Sequence, residues 1–382
     1  MKKILSCILA LLLAFGVCTL CFANESSNEG EKAFSFDENG KFKILMINDT
    51  QDVGKNADER MLTFVKNAIE KTKPDLIVFD GDQLCDIYPF ASKKDFAIAI
   101  DKICSICENA GVPFAVTLGN HDHDRESVMA EDEQYELYAK YSCCVNKKGY
   151  DNFTFNIPIY SSDNEKIAMN IYIMDSNNTA NGSYTGVNAR QVEWYKNTSD
   201  ALKAQNGGEV VPSLLFQHVT VKEIYQFLKE CKWNDEGAFY SRRDGKWYTG
   251  DETKILSGQA LEPPCCENFD VITGQYQAWV EKGDIIGAWF AHDHLNTFEG
   301  ITDDGIRMGY NGGCGFSAYG DAGNRCMRVF EIDENDITNY ETYLITYNEI
   351  VEPINFVLID LLTPMWLTWV MKAVYAVIGW AL

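Results

Sequence analysis

The sequence has few histidines, little positive charge and no internal repeat. Of its 382 residues only five are histidine, and 33 lysines and arginines stand against 56 acidic residues, which gives a formal net charge of −23. Basic residues form no cluster of the kind that phosphate-backbone binding needs. Nucleic acid is therefore excluded as the main partner. Because 46% of the residues are hydrophobic and 23% are charged, the composition is globular and excludes disorder throughout.

The N-terminal end differs in character from the middle of the chain. Residues 1–23 have the layout of a secretory leader, with two lysines, an apolar run over Ile4–Val17 and small or polar residues up to Ala23. We therefore expect export to an extracellular or cell-surface location, with cleavage near Ala23. An uncleaved N-terminal anchor is the alternative. Residues 24–40 are interpreted as an acidic linker.

The C-terminal end, residues 353–382, is strongly apolar, with only Asp360 and Lys372 charged. The part after Pro364 is 18 residues long, just short of the roughly 20 that span a bilayer. Tryptophans lie towards its ends, as interfacial aromatic residues do. The pattern predicts a membrane anchor or a helix in the membrane plane. A helix that closes the protein's own core or contacts a partner is the alternative.

The cysteines give no clear metal-binding pattern. Of 13 cysteines, three lie in the leader. Cys104 and Cys107 have a pairwise metal-binding spacing, but their segment has helical periodicity, and no zinc-ribbon spacing occurs elsewhere. Structural or free thiols are therefore favoured over a metal site. Export would permit disulfides, whose pairing the sequence leaves open.

Between the two ends, apolar runs of strand length alternate with helical periodicity. Strands are predicted at Phe42–Asn48, Asp75–Phe79, Phe114–Leu118, Ser213–Phe216 and Ile285–Phe290. Helices are predicted at Asp58–Thr72 and Asp95–Asn109, and a solvated acidic helix at Arg125–Tyr141. This order predicts a βαβαβ unit with parallel strands near the start of the mature chain, and hence an α/β protein.

A polar cluster follows each predicted strand directly. The clusters are Asp49–Asp52, Gly81–Gln83, Gly119–His123, Gln217–His218 and Ala291–His294. Ligands of α/β sheets lie at the carboxyl ends of the strands, so these clusters are expected to meet. All five histidines, at positions 121, 123, 218, 292 and 294, belong to them. Imidazoles beside Asp49, Asp82 and Asn120 predict a metal site rather than isolated core histidines.

The five clusters resemble the motifs of the calcineurin-like metallophosphoesterases: D-x-H, G-D, G-N-H-D/E, a lone H, and G-H-x-H. The chain has D-T-Q, G-D-Q, G-N-H-D, Q-H and A-H-D-H in that order, and the resemblance covers residues 41–345. The branch related to purple acid phosphatases is the most similar, through Phe42–Ile47, Asp75–Gln83, Gln191–Tyr195 and Phe216–Val219. The resemblance implies an α+β sandwich, with two mixed β-sheets flanked by helices in four layers.

The resemblance also implies a binuclear centre of divalent or trivalent ions, Mn, Fe, Zn or Mg. Asp82 would bridge the two ions. Asp49 and His294, with Gln51 nearby, would hold the first ion. The second ion would be held by Asn120, His218 and His292. The catalytic residue would be His121, which would stabilise charge on the leaving group or donate a proton to it.

Two positions depart from the family pattern. Gln51 stands where the family commonly has histidine. An amide oxygen is a harder and weaker donor than imidazole and favours Mn²⁺ or Mg²⁺ over Zn²⁺, so we expect the first ion to be loosely held. Purple acid phosphatases have a tyrosine three residues after the bridging aspartate, and here that position is Cys85. The tyrosinate of a purple diiron centre is therefore not matched.

Other residues near the motifs are expected to support the site rather than to form it. His123 is expected to lie beside the ligands or to be exposed, rather than to bind a metal. Asp293 is expected beside the ligands, and Asp80 is expected to be structural. The insertion Glu230–Asp270 carries aromatic residues and arginines and is either a lid over the substrate or a surface loop. The glycine-rich stretch Gly309–Gly320 is expected to form turns.

The implied activity is hydrolysis of a phosphomonoester by in-line attack of metal-bound hydroxide. One alternative is a phosphodiesterase acting on a small diester. Another is a catalytically weakened binding module attached to a membrane. The acidic surface repels long polyanions, so the expected partner is a small phosphorylated substrate or a phosphopeptide, with membrane contact through residues 353–382.

Overall fold

The structure is a computed structural model that describes residues 33–52, 58–84, 91–124, 128–180, 183–266 and 273–378. The expected leader, residues 1–23, and Cys85 lie outside these ranges. The chain from Phe34 onward belongs to one compact unit. The description below concerns that unit.

The helices begin at capping residues that the sequence provides. The described α-helices are α1 (Glu59–Thr72), α2 (Lys93–Ala110), α3 (Asn120–His123), α4 (Glu131–Tyr138), α5 (Ala189–Gln205), α6 (Gln275–Lys282), α7 (Tyr347–Ile350) and α8 (Pro364–Ile378). Helical turns of the 3₁₀ type lie at Lys222–Phe227, Ala322–Asn324, Ile337–Asn339 and Leu358–Leu362. Asp58 accepts the backbone N–H of Arg60 at the start of α1, and Ser92 forms a capping box with Asp95 at the start of α2. The predicted starts, Asp58 and Asp95, lie within two residues of the observed first residues, Glu59 and Lys93.

The described strands fall into four sheets. They are β1 (Phe34–Ser35), β2 (Lys41–Ile47), β3 (Leu76–Asp80), β4 (Phe114–Thr117), β5 (Phe155–Tyr160), β6 (Ile167–Ile173), β7 (Thr179–Ala180), β8 (Ser183–Tyr184), β9 (Ser213–Phe216), β10 (Leu228–Glu230), β11 (Phe239–Ser241), β12 (Lys246–Gly250), β13 (Ile255–Ser257), β14 (Ile285–Phe290), β15 (Glu299–Ile301), β16 (Arg307–Tyr310), β17 (Cys326–Asp333) and β18 (Glu341–Thr346). The five predicted strands are confirmed to within one residue at each end.

Both large sheets are mixed. The five-stranded sheet has the order β18-β17-β2-β3-β4, with β2, β3 and β4 parallel and β17 antiparallel to β2. The eight-stranded sheet has the order β1-β5-β6-β9-β14-β16-β15-β13, with β6, β9, β14 and β16 parallel. The predicted parallel βαβαβ unit, β2 to β4 with α1 and α2, is therefore confirmed.

The two sheets pack face to face, with helices on both outer faces. Ile44 and Met46 of β2 pack in the same cluster as Leu214 and Trp289 of the other sheet. The alternate residue Leu45 points outward and packs with α1 and α2. Helices α5 and α6 cover the outer face of the eight-stranded sheet. The predicted four-layer sandwich is confirmed.

Two predicted segments have different bounds in the structure. The predicted acidic linker contains residues 34–36. In the structure, β1 pairs with β5 and Phe36 is buried. The folded unit therefore begins before residue 41. The acidic helix expected at Arg125–Tyr141 is shorter. Within its described part, α4 covers Glu131–Tyr138, because Ala130 has an extended backbone and its N–H is bound by the Glu133 carboxylate.

The C-terminal helix α8 packs against the protein through one side. The ring of Tyr375 lies 5.6 Å from that of Trp247 on β12. Trp366, Trp369 and Val377 are exposed, so the opposite side is an uncovered apolar surface. Among the described helices, none is both long enough and apolar enough to cross a membrane.

The cysteines of the described ranges are free thiols. Nine are described, and none of these nine forms a disulfide. Cys104 and Cys107 are buried on the inner side of α2, where they pack in the cluster beneath the five-stranded sheet. This buried position on a helix agrees with the prediction that the CxxC pair consists of structural thiols.

Candidate metal centre

The five polar loops meet at the carboxyl ends of the parallel strands. The loop after β2 is bonded to the loop after β3, because the N–H of Asp49 donates to the carbonyl of Gly81 at 3.0 Å. The N–H of His121 donates to Asp82 Oδ1 at 2.8 Å and ties in the loop after β4. From the other sheet, the N–H of His292 donates to Asp49 Oδ2 at 3.2 Å. The clusters predicted to meet are thus in direct contact.

The backbone is strained where the predicted ligands lie. Eight non-glycine residues of the described ranges have a positive φ, and four of them are predicted ligands: Asp49, Gln51, Asp82 and His292. Such left-handed conformations cost on the order of 1 kcal/mol or more each and persist where the surroundings enforce them. Half of the positive-φ non-glycine residues of the described ranges thus lie in this one group of loops.

The predicted ligand atoms form a compact, buried group. Ligand atoms of Asp82, His218 and His292 all lie within 4.8 Å of one another. On the other side, Asp49 Oδ1 lies 3.1 Å from His294 Nε2. The two groups adjoin, since His218 Nε2 lies 3.2 Å from Asp82 Oδ2 and 3.9 Å from Asp49 Oδ1. Asp49, Asp82 and His218 are each at most 1% exposed.

The imidazoles of His218 and His294 are oriented as metal ligands are. Nδ1 of His218 lies 2.8 Å from the carbonyl oxygen of Asp80, and Nδ1 of His294 lies 2.6 Å from that of Tyr319. A ring that donates its Nδ1–H to a carbonyl keeps a lone pair on Nε2. In both residues Nε2 is the atom that faces the carboxylates.

Buried atoms without a hydrogen-bond partner provide a test of whether these residues fit a metal ion. Within the described ranges, four predicted ligands have such an atom: Asp49 Oδ1, Asn120 Oδ1, His218 Nε2 and His292 Nδ1. Buried polar atoms are normally bonded, so each exception calls for a partner. Carboxylate and amide oxygens with imidazole nitrogens suit Mn, Fe or Zn. The donor set fits a metal ion.

The electrostatics of the group favour positive charge. Burial opposes ionisation of Asp49, but His294 and His218 lower its pKa overall. Burial opposes charge on His218 as well, yet Asp82 and Asp49 raise its pKa to about 10. Burial and the neighbouring His218 lower the pKa of His292 to about 3. The carboxylates that attract a proton to His218 would attract a cation equally.

Gln51 contacts the predicted bridging residue through its amide nitrogen. Its Nε2 donates to Asp82 Oδ2 at 3.0 Å, and its backbone N–H donates to the Asp82 carbonyl at 3.0 Å. The Gln51 side chain is buried next to Asp82. Whether its amide oxygen is a metal ligand stays a prediction.

His121 is the most exposed of the predicted site residues, with 31% of its side chain accessible. Its Nδ1 lies 2.8 Å from Asp124 Oδ2, and its Nε2 lies 4.0 Å from Asp82 Oδ2. The ring is thus held at the rim of the group, with Nε2 directed towards it. A substrate could reach this nitrogen.

His123 lies outside the group, in an ion-pair triad of its own. Its Nε2 is 3.1 Å from the carboxylate of Asp175, and its Nδ1 is 3.2 Å from Glu131 Oε1. Burial lowers the pKa of the ring, but Asp175 and Glu131 raise it to about 11. Because both nitrogens already have carboxylate partners, we interpret the triad as structural.

The segment 261–266 supports the loop that carries His292 and His294, and no sequence pattern pointed to it. The Glu262 carboxylate accepts the N–H of Leu295 at 2.7 Å and the hydroxyl of Tyr319 at 3.0 Å. The Tyr319 ring stacks on His294 with centroids 4.3 Å apart. The N–H of Cys265 donates to the Asp293 carboxylate at 3.1 Å. Asp293 is thus beside the ligands, as expected.

A second aromatic residue, Tyr184 on β8, contacts the ligand ring of His292 edge to face, with centroids 4.5 Å apart. Cys265 Sγ also lies within 4.8 Å of ligand atoms of His292 and Asp293. No periodic pattern indicated either residue, because Tyr184 lies on a strand of only two residues and Cys265 lies in an irregular segment. Together they form the wall of the site next to His292.

Known proteins are similar in sequence to this chain. A protein of Arabidopsis thaliana, "Probable inactive purple acid phosphatase 14", is 25% identical over 375 residues, which is 86% of this chain and 84% of the relative. "Phosphatase DCR2" of Saccharomyces cerevisiae is 22% identical over 330 residues, 78% of this chain and 53% of the relative. The purple acid phosphatase-like names agree with the predicted branch.

Among solved structures, the Plasmodium protein described as "GAP50 the anchor in the inner membrane complex" is 12% identical, with a TM-score of 0.43 and coverage of 83% of this chain and 87% of that one. The family model of the calcineurin-like phosphoesterases matches residues 42–296. That range contains every predicted ligand, from Asp49 to His294. The chain therefore belongs to the calcineurin-like phosphoesterase family.

Proposed function

We propose that the chain is an exported, metal-dependent phosphoesterase that hydrolyses a phosphomonoester at a centre of two metal ions. The observation that carries the proposal is the convergence of buried ligand atoms from loops after four different strands. Asn120 Oδ1 and His292 Nδ1 have no hydrogen-bond partner in the described ranges, and Asp49 Oδ1 and His218 Nε2 face other predicted ligands. Two bound cations would neutralise the phosphoryl oxygens and lower the pKa of water, which supplies the nucleophile.

Each side chain of the site would position a different group for the reaction. Asp82 contacts His218 at 3.2 Å and Gln51 at 3.0 Å, which supports a bridging position between the two ion sites. Asp124 orients His121 through Nδ1, so that a proton on Nε2 can pass to the departing oxygen. Tyr184 and Cys265 close the site beside His292 and would exclude water there.

The test is hydrolysis of p-nitrophenyl phosphate by the full chain after loading with Mn²⁺. We expect Asp82→Asn to lose nearly all activity, because the variant removes the charge shared by both ion sites. The matched control is Asp163→Asn, which changes an exposed aspartate on the loop between β5 and β6. Equal activity in the two variants would contradict the proposal. Turnover of bis-p-nitrophenyl phosphate in preference to the monoester would favour the phosphodiesterase alternative.

A second function, that of a catalytically weakened binding module, is favoured by one observation. The amide of Gln51 presents a hydrogen-bond donor to Asp82 where the family commonly has a histidine. The word "inactive" in the name of a relative is consistent with this alternative. A chain that binds metal and phosphate but turns over no ester would support it.

We further propose contact with a membrane through residues 353–382, in line with export. Asp360, one of the two charged residues of this segment, is turned inward and pairs with Arg325. The outer face of α8 exposes Trp366, Trp369 and Val377. An apolar helix face with tryptophans suits the boundary between lipid headgroups and chains.

A further inference from the structure

The insertion between His218 and His292 contains a small three-stranded sheet whose hairpin turn approaches the metal centre. Strands β11 and β12 pair from Phe239 to Ser241, and residues 242–245 form the turn between them. Arg243 lies in that turn and is exposed. The insertion is thus a folded element rather than an irregular loop.

Contacts at the turn connect Arg243 to the wall of the site. Its Nη1 lies 3.2 Å from Cys266 Sγ. The adjacent residue, Cys265, has its sulfur within 4.8 Å of ligand atoms of His292 and Asp293. Burial, Cys265 and Asp293 raise the pKa of Tyr184, whose ring contacts His292, and Arg243 acts in the opposite direction.

The small sheet is fixed to the protein in two places. Tyr240 and Trp247 form a cross-strand pair next to the turn, with ring centroids 5.2 Å apart. Tyr375 of α8 packs on this pair, at 5.6 Å from Trp247 and 6.5 Å from Tyr240. The hydroxyl of Tyr225, whose ring lies 5.6 Å from Tyr248, donates to the carbonyl of Pro264 at 3.0 Å. The hairpin therefore has a defined position relative to segment 261–266.

A cation at this place has a chemical use. The whole chain has a formal net charge of −23, so its general field repels an approaching phosphate. A guanidinium offers planar, paired donors that match two phosphate oxygens. Arg243 combines that chemistry with an exposed position next to Cys266, whose neighbour Cys265 lies close to His292.

We propose that Arg243 binds the phosphoryl group of the incoming substrate, and that packing of the Tyr240–Trp247 pair on Tyr375 holds the hairpin at the centre. This inference rests on the proposed phosphoesterase function. It assigns to the insertion the recognition of a terminal, doubly charged phosphate. It also makes the C-terminal helix α8 a positioning element of the site.

The probe for the first half of the proposal is inorganic phosphate, titrated calorimetrically into the Mn²⁺-loaded full chain. We expect Arg243→Gln to raise the Kd of phosphate at least tenfold and to raise KM for p-nitrophenyl phosphate more than it lowers kcat. Arg242→Gln, one residue earlier and also exposed, is the matched control and should leave both unchanged. Equal Kd values in the two variants, or no phosphate binding by the natural chain, would overturn the inference. Phosphate binding without turnover would count against the proposed function alone, because Kd still reports on Arg243.

The second half is tested by Tyr375→Ala and the conservative variant Tyr375→Phe. We expect Tyr375→Ala to weaken phosphate binding and Tyr375→Phe, which keeps the ring, to restore it. In the Arg243→Gln background, loss of the Tyr375 ring should raise the Kd of phosphate little further, because both changes act on the same contact between Arg243 and phosphate. Additive effects would overturn the positioning role of α8. Circular dichroism and the Tm of each variant establish that the fold is retained.

Discussion

The backbone of Gly119 passes so close to Asp82 that a β-carbon at position 119 would lie 2.2 Å from Asp82 Oδ1. The same carboxylate oxygen accepts the N–H of His121 at 2.8 Å. The loop after β4 therefore depends on a residue without a side chain at 119 to reach the predicted bridging carboxylate. This contact couples the backbone of one loop to the charge of another.

Replacement of Gly119 by alanine should displace the Asp82 carboxylate. We expect Mn²⁺ affinity to fall roughly 10- to 100-fold, as for other losses of groups that orient metal ligands. Isothermal titration with Mn²⁺ measures the effect. Gly111→Ala is the control, because a β-carbon there meets nothing within 4 Å, and its left-handed backbone should cost about 1 kcal/mol of stability without changing metal affinity.

Gln51→His should strengthen the first ion site if the site is catalytic but weak. An imidazole is a better donor than an amide for Zn²⁺ and Mn²⁺, so affinity at that site is expected to rise about tenfold. Titration of the variant with each metal, together with the rate on p-nitrophenyl phosphate, would measure this. Unchanged affinity and rate would count against Gln51 lying in the coordination sphere.

Removal of His123 should affect stability rather than metal binding. His123→Gln leaves the buried carboxylate of Asp175 without its charged partner, which is expected to cost about 3–5 kcal/mol of the free energy of unfolding. Urea unfolding monitored by tryptophan fluorescence measures the loss. A variant as stable as the natural chain would show that the triad carries no net energy. Asp175→Asn in the same background should recover part of the loss.

The same triad predicts a direction of pH dependence. Its partners raise the folded-state pKa of His123 to about 11, above its value of about 6.5 in an unfolded chain. Its contribution to stability should therefore be complete below about pH 6.5 and decline as pH rises towards 11. The difference in unfolding free energy between the natural chain and His123→Gln should be larger at pH 6 than at pH 10. An unchanged difference would contradict the ion-pair interpretation.

The apolar face of α8 should bind lipid. Trp366→Ser with Trp369→Ser is expected to weaken sedimentation of the full chain with phosphatidylcholine vesicles roughly 100-fold, since each large side chain withdrawn from lipid costs on the order of 1.5 kcal/mol. The matched control is Leu256→Ser, another exposed apolar residue at 59% exposure, on β13. No vesicle binding by the natural chain would contradict membrane contact through this face.

The parts of the fold that the sequence predicted are those with local signals. One such signal is the contiguous apolar run of β3, which is followed directly by Gly81 and Asp82. Apolar runs of this kind determine which segments form the sheet, and the polar residues after them show where the loops meet. The bounds of α1 follow from its capping residue Asp58. These features depend on neighbours in the chain.

The supports of the site had no such signal. Tyr319 stacks on His294 and bonds Glu262, yet the three residues come from separate, irregular segments. Tyr375 on α8 likewise packs on Trp247 of β12, although more than a hundred residues separate them in the chain. Contacts of this kind arise from tertiary packing, which residue periodicity does not encode. The short strand β1 was not predicted, because two residues are too few to show the alternation of apolar and polar side chains.

Two-metal phosphomonoesterase chemistry is best tested by the metal content of the full chain after Mn²⁺ loading and gel filtration, taken together with its phosphomonoesterase rate. We predict about two metal ions per chain, loss of both ions in Asp82→Asn, and activity that disappears with a chelator and returns with Mn²⁺. A natural chain that retains no metal and hydrolyses no p-nitrophenyl phosphate would contradict it.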